Sequence, residues 1–414
     1  MDFDESTEEA AFRTEARAWL DSHATGDAAR NVVQRPGEDE AAFVERARPW
    51  QALLAEHRWT GIAWPTRYGG RGGTATEAAI FTEEARQRGL PTGSFVVGVG
   101  MAGPTIIAHG TDEQKARHLA PMLRGEEVWC QLFSEPDAGS DLAGLTTRAE
   151  PADDATGGWL VNGQKVWTSG ADHSDYGILL ARTDPNQPKH RGISYLLIDM
   201  RQPGIEVRPL RQMTGASHFS EVFLTNARVA DDAVLGPLHG GWAVAMTTLA
   251  NERTFMGGHR SGPGLGDLLA LARDRAATDD PVFRQALAAA YSRQQIMGYL
   301  GLRVRTAASQ GRPPGPEASV LKLMAAWTMK TNAELALAIQ GPAGMLTDGD
   351  APEMGRWQQH LLTAPSIRIA GGSDEIQRNI MGERVLGLPP EHRVDKEVPF
   401  RDLAKLAQEA IGRG

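Results

Sequence analysis

The chain has 414 residues, a formal net charge of −9 and a single cysteine, Cys130, with 41% hydrophobic and 23% charged residues. At roughly 150 residues per domain, this length gives about three domains with ample material for a core, and the composition excludes a disordered or coiled-coil chain. One cysteine excludes an internal disulfide framework and a cysteine-ligated zinc or iron–sulfur centre, and the acidic balance argues against nucleic acid as a partner.

The N-terminus, Met1-Asp2-Phe3-Asp4-Glu5, is acidic where a signal peptide is basic. The longest apolar stretch, about Ser94–Ala108, is broken by Gly98, Gly100, Gly103 and Pro104. It falls short of the ~18 apolar residues a membrane span needs, so a soluble, cytoplasmic chain is expected.

Residues 1–127 read as a helical domain. Phe12, Ala16, Trp19 and Leu20 form one apolar stripe, and Phe43, Ala47, Trp50 and Leu54 form a second. Thr74-x-x-Glu77 and Thr111-x-x-Gln114 have the form of capping boxes. A Gly-rich loop spans Trp64–Gly73. Gly98-Val99-Gly100-Met101-Ala102-Gly103 fits G-x-G-x-x-G, but Gly110 follows within a short helix length and no βαβ series comes after it. Those glycines are therefore expected to pack an element closely, not to hold a dinucleotide.

Residues 128–238 read as β-structure. Short β-forming runs lie at 128–133, 159–161, 165–168, 176–182, 193–198, 205–207 and 221–224. Asn162-Gly163 between two of them predicts a hairpin turn. Many strands without intervening helices predict a compact sandwich or barrel. Residues 239–414 return to helix, predicted over about 241–260, 265–277, 281–310, 317–340, 352–362 and 374–385, with a break at Arg312–Pro316. Long amphipathic helices with short joins predict an antiparallel bundle. The order helices, strands, helices is an α+β arrangement, not a doubly wound one. There is no Walker A sequence, no G-x-S-x-G elbow and no H-E-x-x-H, and the histidines are scattered, so no metal site is expected.

Three segments concentrate polar groups beside glycine and aromatic residues: Gln131–Asp141, Lys165–Gly170 and Ala370–Arg378. A planar redox-active ring needs an apolar wall and a few hydrogen bonds at its polar edge, and its phosphates need helix N-termini or arginines. These segments could supply both.

In order and spacing, the three segments resemble the acyl-CoA dehydrogenase family of flavoenzymes. The E-P-x-x-G-S-D run at 135–141, the N-G-x-K-x-W-x-[ST] run at 162–169 and the G-[ST]-x-E-I-x-R run at 372–378 carry the resemblance, with the Trp64-Pro65 and Gly69-Gly70 loop and the tail Glu383–Gly387. The resemblance implies an N-terminal helical domain, a central β-barrel or sandwich domain and a C-terminal four-helix bundle. It implies FAD as cofactor, with Gln131, Phe133, Ser134, Trp167, Thr168 and Ser169 lining the flavin and Trp167 shielding a ring face. Gly341, Ser373 and Glu375 would also contact the cofactor, and Ser140 and Arg253 the acyl-CoA. In the family an arginine from a neighbouring subunit often binds the flavin pyrophosphate; the matching segment, Leu271–Arg275, lacks the usual R-x-x-F-G form and offers Arg273 as the candidate.

The reaction needs a base for the α-proton. In many members of the family it is a glutamate immediately before the glycine of the last motif, but this chain has Gly371 there. A subset resembling isovaleryl- and long-chain acyl-CoA dehydrogenases takes its base from a Glu-Arg pair early in the bundle. Asn251-Glu252-Arg253 stands at that place, so Glu252 is assigned as the base and Gly371 as a backbone N–H donor to the thioester oxygen. Glu135 and Asp141 are read as structural carboxylates satisfying backbone N–H groups, and Cys130 as a packing residue. The expected partners are an acyl-CoA substrate, an electron-transferring flavoprotein as acceptor, and three further copies in a homotetramer arranged as a dimer of dimers. Two alternatives stand beside this reading. One is an oxygen-using monooxygenase or oxidase of the same fold. The other is a catalytically silent subunit of a heteromeric dehydrogenase. A carrier-protein thioester is a further alternative to CoA.

Overall fold

The computed structural model describes residues 5–24, 32, 38–90, 95–256, 262–309, 315, 317–391, 393, 395–403 and 405. The end of the helix predicted to reach residue 260 and most of the Arg312–Pro316 break lie outside the described residues. The chain divides into two compact units, one containing Glu5–Gln212, Ser217–Phe255 and the residues after Glu391, the other containing Met213–Ala216 and Met256–Glu391.

The larger unit begins with helices α1 (Thr7–His23), α2 (Glu40–Glu56) and α3 (Ala75–Gln87). Their buried faces are the predicted stripes: Phe12, Ala16 and Leu20 on α1, and Phe43, Ala47, Trp50 and Leu54 on α2. Glu84 of α3, with 1% of its side chain exposed, is clasped by Arg13 at 2.6 Å, Arg17 at 2.9 Å and Arg88 at 3.1 Å. The Thr74/Glu77 and Thr111/Gln114 capping boxes both form, the second opening α5 (Asp112–Arg124). Between α3 and α5, the G-x-G-x-x-G run is a π-helical turn, Val97–Ala102, that passes directly into α4 (Gly103–His109). A Cβ on Gly103 would lie 2.2 Å from the Trp64 ring, so this glycine is there for close packing.

The β-structure is one seven-stranded sheet: β1 (Trp129–Leu132), β2 (Arg148–Pro151), β3 (Trp159–Ser169), β4 (Tyr176–Arg182), β5 (Ile193–Asp199), β6 (Ile205–Leu210) and β7 (Phe219–Val229). The order is β1-β4-β2-β3-β7-β6, with β5 pairing β4. Strand β4 is apolar on both faces, as a strand covered on both sides must be. Leu179 and Ala181 join Cys130, Leu132, Leu196, Val222 and Leu224 in a core that the curled sheet encloses. Ile178 and Leu180 face the other way, with Phe133, Tyr195 and Leu197, against Ile106 and Leu119 of the helices. Helix α6 (Gly241–Met256) contributes Val244 and Ala245 to this second layer.

The hairpin predicted at Asn162-Gly163 is not formed. Strand β3 runs straight through, with a register shift against β7 between Val161 and Gly163. A Cβ at Gly163 would lie 2.7 Å from Thr147 Cα, so the glycine admits a close neighbouring backbone instead of reversing the chain. The real hairpin joins β2 to β3, and its return carries Gly157 and Gly158 at φ 64° and 81°. Strand β2 itself was not anticipated from the sequence.

The second unit holds α7 (Leu265–Asp274), α8 (Pro281–Ser309), α9 (Glu317–Gln340), α10 (Arg356–Ile369) and α11 (Asp374–Arg384). Leu268, Leu271, Ala272, Leu287, Ala290, Ala336, Ile339 and Trp357 form its core. The helix predicted over 352–362 begins later and runs further. Glu353, Met354 and Gly355 hold left-handed φ values of 52°, 56° and 75°, which delays the start. Pro365 does not end the helix. That position is exposed, so water can reach the carbonyl the missing N–H leaves behind.

Candidate active site

Three of the predicted flavin-lining residues lie at or just after the end of β1. Gln131 and Ser134 are half-buried and Phe133 is buried. The Ser134 carbonyl accepts from Val166 N at 2.9 Å, which ties this segment to β3. Just beyond that tie, Trp167 has φ 61°, an uncommon conformation for an aromatic residue. Its indole is 61% exposed, edge-on to Phe219 with ring centroids 6.1 Å apart. Thr168 turns inward and is fully buried, yet its Oγ1 has no hydrogen-bond partner. A buried hydroxyl without a protein partner is uncommon, and a polar ligand atom reaching it would satisfy it. Ser169 follows, exposed. The C-terminal ends of β1 and β3 thus form one edge of the site and present an indole, two further hydroxyls and an orphaned hydroxyl, a set that suits the rim of a flavin.

Behind this edge lies a buried ion cluster. Lys165, fully buried, donates to Glu135 Oε1 at 2.9 Å and to the Phe133 carbonyl at 3.1 Å. Glu135 also accepts from Thr146 N and Oγ1, both at 2.7 Å, and from Thr147 N at 2.9 Å. Burial alone would raise the Glu135 carboxyl, but the Lys165 ammonium and these donors outweigh it and hold it down at about 2. Burial pushes Lys165 below the usual lysine range, partly offset by Glu135. Arg182, also buried, donates to the carbonyls of Ala143 (2.7 Å), Leu145 (3.2 Å) and Lys189 (3.0 Å) and stacks on Phe400 at 3.5 Å. Glu135 is thus the structural carboxylate the sequence suggests. Asp141 is exposed and pairs with Lys189 at 2.9 Å, and Ser140 beside it is exposed on the same loop.

Glu252 reaches the edge from α6. Residues 245, 248 and 252 share a helix face, and Ala245 and Thr248 are fully buried against the sheet layer. Glu252, half-buried one turn further on, comes within 3.5 Å of Gln131 Nε2 through its Oε2, a long hydrogen bond. The side chain of Arg253 lies outside the described residues. Cys130 is buried, which pushes its thiol up to about 12 and makes it an inert packing group.

In the second unit, Gly371 and Gly372 have φ of 64° and 87°, and their carbonyls accept from Gln377 Nε2 at 2.9 and 3.5 Å. Ser373 caps α11, its Oγ accepting from Ile376 N at 3.4 Å. Asp374 is buried and held by Arg368 at 2.7 Å, whereas Glu375 is exposed and pairs with Arg378 at 3.4 Å. Gly341, at φ 61°, follows the end of α9, and Arg273 is exposed in the last turn of α7. Among the described residues no cluster of three or more potential metal ligands occurs, and no helix is long and apolar enough to cross a membrane.

Family models for the acyl-CoA dehydrogenase N-terminal, middle and C-terminal domains match residues 6–126, 130–227 and 239–386. The chain belongs to the acyl-CoA dehydrogenase family. It is 40% identical to the acyl-CoA dehydrogenase IpdE1 of Mycolicibacterium smegmatis over 92% of this chain and 98% of that protein. Among solved structures, it resembles the Tcur3481-Tcur3483 steroid ACAD, with 30% identity, a TM-score of 0.79 and coverage of 94% of this chain and 100% of that one. It also resembles the ChsE4-ChsE5 complex of Mycobacterium tuberculosis, with 26% identity, a TM-score of 0.75 and the same coverage.

This acyl-CoA dehydrogenase carries two supports that its sequence hides. Lys165 stands inside a recognised motif, but nothing local shows that its ammonium is buried on a carboxylate 30 residues away. Tyr195 and Thr248 bond across 53 residues, and only a fold could bring them together. Arg182 did leave a signal, a lone cation ending the apolar run Tyr176–Ala181.

Proposed function

We propose that the protein removes two hydrogens across the α,β-bond of an acyl-CoA to give a trans-2-enoyl thioester, with FAD as cofactor and Glu252 as the base that takes the α-proton. The reading is supported above all by the 3.5 Å approach of Gln131 to Glu252, because Gln131 belongs to the same edge as the unpartnered Thr168 hydroxyl. A bound flavin supplies the acceptor for the β-hydride. Phe133 and Trp167 offer it apolar walls, and Ser134, Thr168 and Ser169 offer hydroxyl groups. Gln131 steadies the Glu252 carboxylate, and helix α6 aims it. Ser140 and Arg253 are assigned to the acyl-CoA. For the second unit, we assign Gly371 N–H to the thioester oxygen and Gly341, Arg273, Ser373 and Glu375 to the cofactor, on the family resemblance.

The substrate we infer is a ring-bearing acyl-CoA, because one structural relative is named a steroid ACAD. The acceptor we assign is an electron-transferring flavoprotein. Both structural relatives are named as pairs of chains, so a pairing with a second, related chain stands beside the homotetramer. Exposed apolar side chains on the second unit, among them Tyr291, Tyr299, Trp327, Leu386 and Leu388, suit either assembly. Native mass measurement of the purified chain separates the two.

The decisive test is anaerobic mixing of the flavin-loaded protein with straight-chain, branched and steroid-ring acyl-CoAs. The expected result is bleaching of the flavin with formation of the enoyl thioester, fastest for a ring-bearing substrate. Bleaching that survives in Glu252→Gln removes Glu252 as the base, and a hydroxylated product in air replaces the dehydrogenase reading with an oxygenase.

A further inference from the structure

We propose that Tyr195 is a positioning residue for proton abstraction: its phenol fixes helix α6 one turn before Glu252, while its ring backs Phe133 of the flavin-facing edge. The proposal deepens the assignment of Glu252 as the base and rests on it.

Tyr195 is fully buried on β5, opposite Leu180 of β4. Its hydroxyl lies 3.0 Å from Thr248 Oγ1, and Thr248 Oγ1 lies 3.0 Å from Thr105 Oγ1 on α4. Thr105 in turn donates to the Met101 carbonyl at 2.7 Å. One orientation satisfies the whole chain: Tyr195 donates to Thr248, Thr248 to Thr105, and Thr105 to the carbonyl that ends it. Thr248 has one further acceptor in reach, the Val244 carbonyl at a longer 3.4 Å, so the relay is the shortest set of bonds these buried hydroxyls make and it tolerates little displacement.

The relay fixes α6 about its own axis. At the start of the helix, a Cβ on Gly241 would lie 2.4 Å from Tyr195 N, so the first turn lies flush on the β5 backbone. At its middle, Thr248 is held by Tyr195 and Thr105, and Thr247 by His109 Nε2 at 2.8 Å. The other buried contacts of this stretch, Val244 and Ala245, are apolar and non-directional. Glu252 follows Thr248 by one helical turn on the same face. On its other side, the Tyr195 ring meets Phe133 edge-on, with centroids 5.9 Å apart. A single side chain therefore ties the strand that carries the flavin-facing edge to the helix that carries the base. A reacting carboxylate displaced by about 1 Å can lose a hundredfold in rate, so a device of this kind acts on catalysis before it acts on folding.

The test compares wild type with Tyr195→Phe, which keeps the ring and removes the hydroxyl. The probe is a 3-thia-acyl-CoA, in which sulfur replaces the β-carbon so that the α-proton can leave but no hydride can. The flavin's long-wavelength charge-transfer band with the deprotonated analogue then reads proton abstraction alone. The expected result is a band that forms about tenfold more slowly, with FAD affinity of the apoprotein unchanged within about twofold. A rate within twofold of wild type overturns the proposal, and so does a parallel loss of FAD affinity, which would make the role structural. Thr248→Ser and Thr248→Val repeat the test from the other end, with the serine variant expected to be the faster of the two. Equal rates in that pair overturn the proposal. If Glu252→Gln forms the band normally, the base assignment itself fails. If Glu252→Gln abolishes the band while Tyr195→Phe is unchanged, only the positioning role fails.

Discussion

Gln131 and Glu252 are 121 residues apart, and the amide of one meets the carboxylate of the other at 3.5 Å. The contact joins the last turns of helix α6 to the end of β1, which the Val166 N–Ser134 O bond ties to the end of β3 that carries the buried Thr168 hydroxyl. Glu252→Gln is expected to lower the rate of flavin bleaching by about a hundredfold to ten-thousandfold, the usual contribution of a positioned base, and to leave FAD binding intact. Stopped-flow absorbance with a titrated flavin content checks both.

Thr168 gives a prediction of unusual sign. Its hydroxyl is buried without a partner, which costs a folded protein about 1–3 kcal/mol. Thr168→Val removes that penalty. The cofactor-free variant is expected to melt at the same temperature as wild type or higher, while gaining less on addition of FAD. Thermal melts with and without FAD measure the two effects, and a variant that is simply less stable in both would count against a flavin contact.

Breaking the Lys165–Glu135 pair from one side is expected to be severe. Lys165→Met strands a carboxylate with 4% of its side chain exposed, at a cost of about 3–5 kcal/mol. Adding Glu135→Gln to that variant is expected to recover part of the loss. Urea denaturation of the two variants and wild type measures this, and a double variant less stable than Lys165→Met alone would contradict it.

Acid should act on the same group. Glu135 is held at about 2 in the fold, and Glu84, with its three arginines, is also at about 2. An unfolded glutamate titrates near 4.3. Because the folded values are depressed, the stability they contribute is complete above about pH 5 and is lost as the pH falls toward 2. Unfolding free energy measured across that range should decline steadily. Glu135→Gln should flatten its share of the decline and lower stability at neutral pH.

Gly103→Ala tests the packing reading of the G-x-G-x-x-G run. The added methyl would lie 2.2 Å from the Trp64 ring, an overpacking expected to destabilise by about 1–3 kcal/mol. Its effect on flavin content should be nil once the protein is folded.

Helix positions were legible in the sequence because their signals are local. Capping boxes at Thr74 and Thr111 and the stripes of α1 and α2 need only neighbours within a turn or two. The motif segments were legible for the same reason. Asn162-Gly163 misled because a dipeptide suited to a turn equally suits a bulge, and the choice was made by Thr147, just before β2. The start of α10 was missed because the left-handed turn at Glu353–Gly355 leaves no periodicity to mark it. The ion cluster at Lys165 and the relay through Tyr195 depend on contacts between segments far apart in sequence, which no periodicity records.

The buried ammonium at Lys165 also guards strand alignment. Side chains alternate across a strand, so a slip of β3 by one residue would turn Lys165 to the opposite face, away from Glu135 and the Phe133 carbonyl. An unpaired cation in that interior is far costlier than a misplaced valine. Mispaired sheets are thereby penalised before any cofactor arrives, and the edge bearing Trp167 and Thr168 is assembled in one register only. The ion pair works as a proofreader of the sheet.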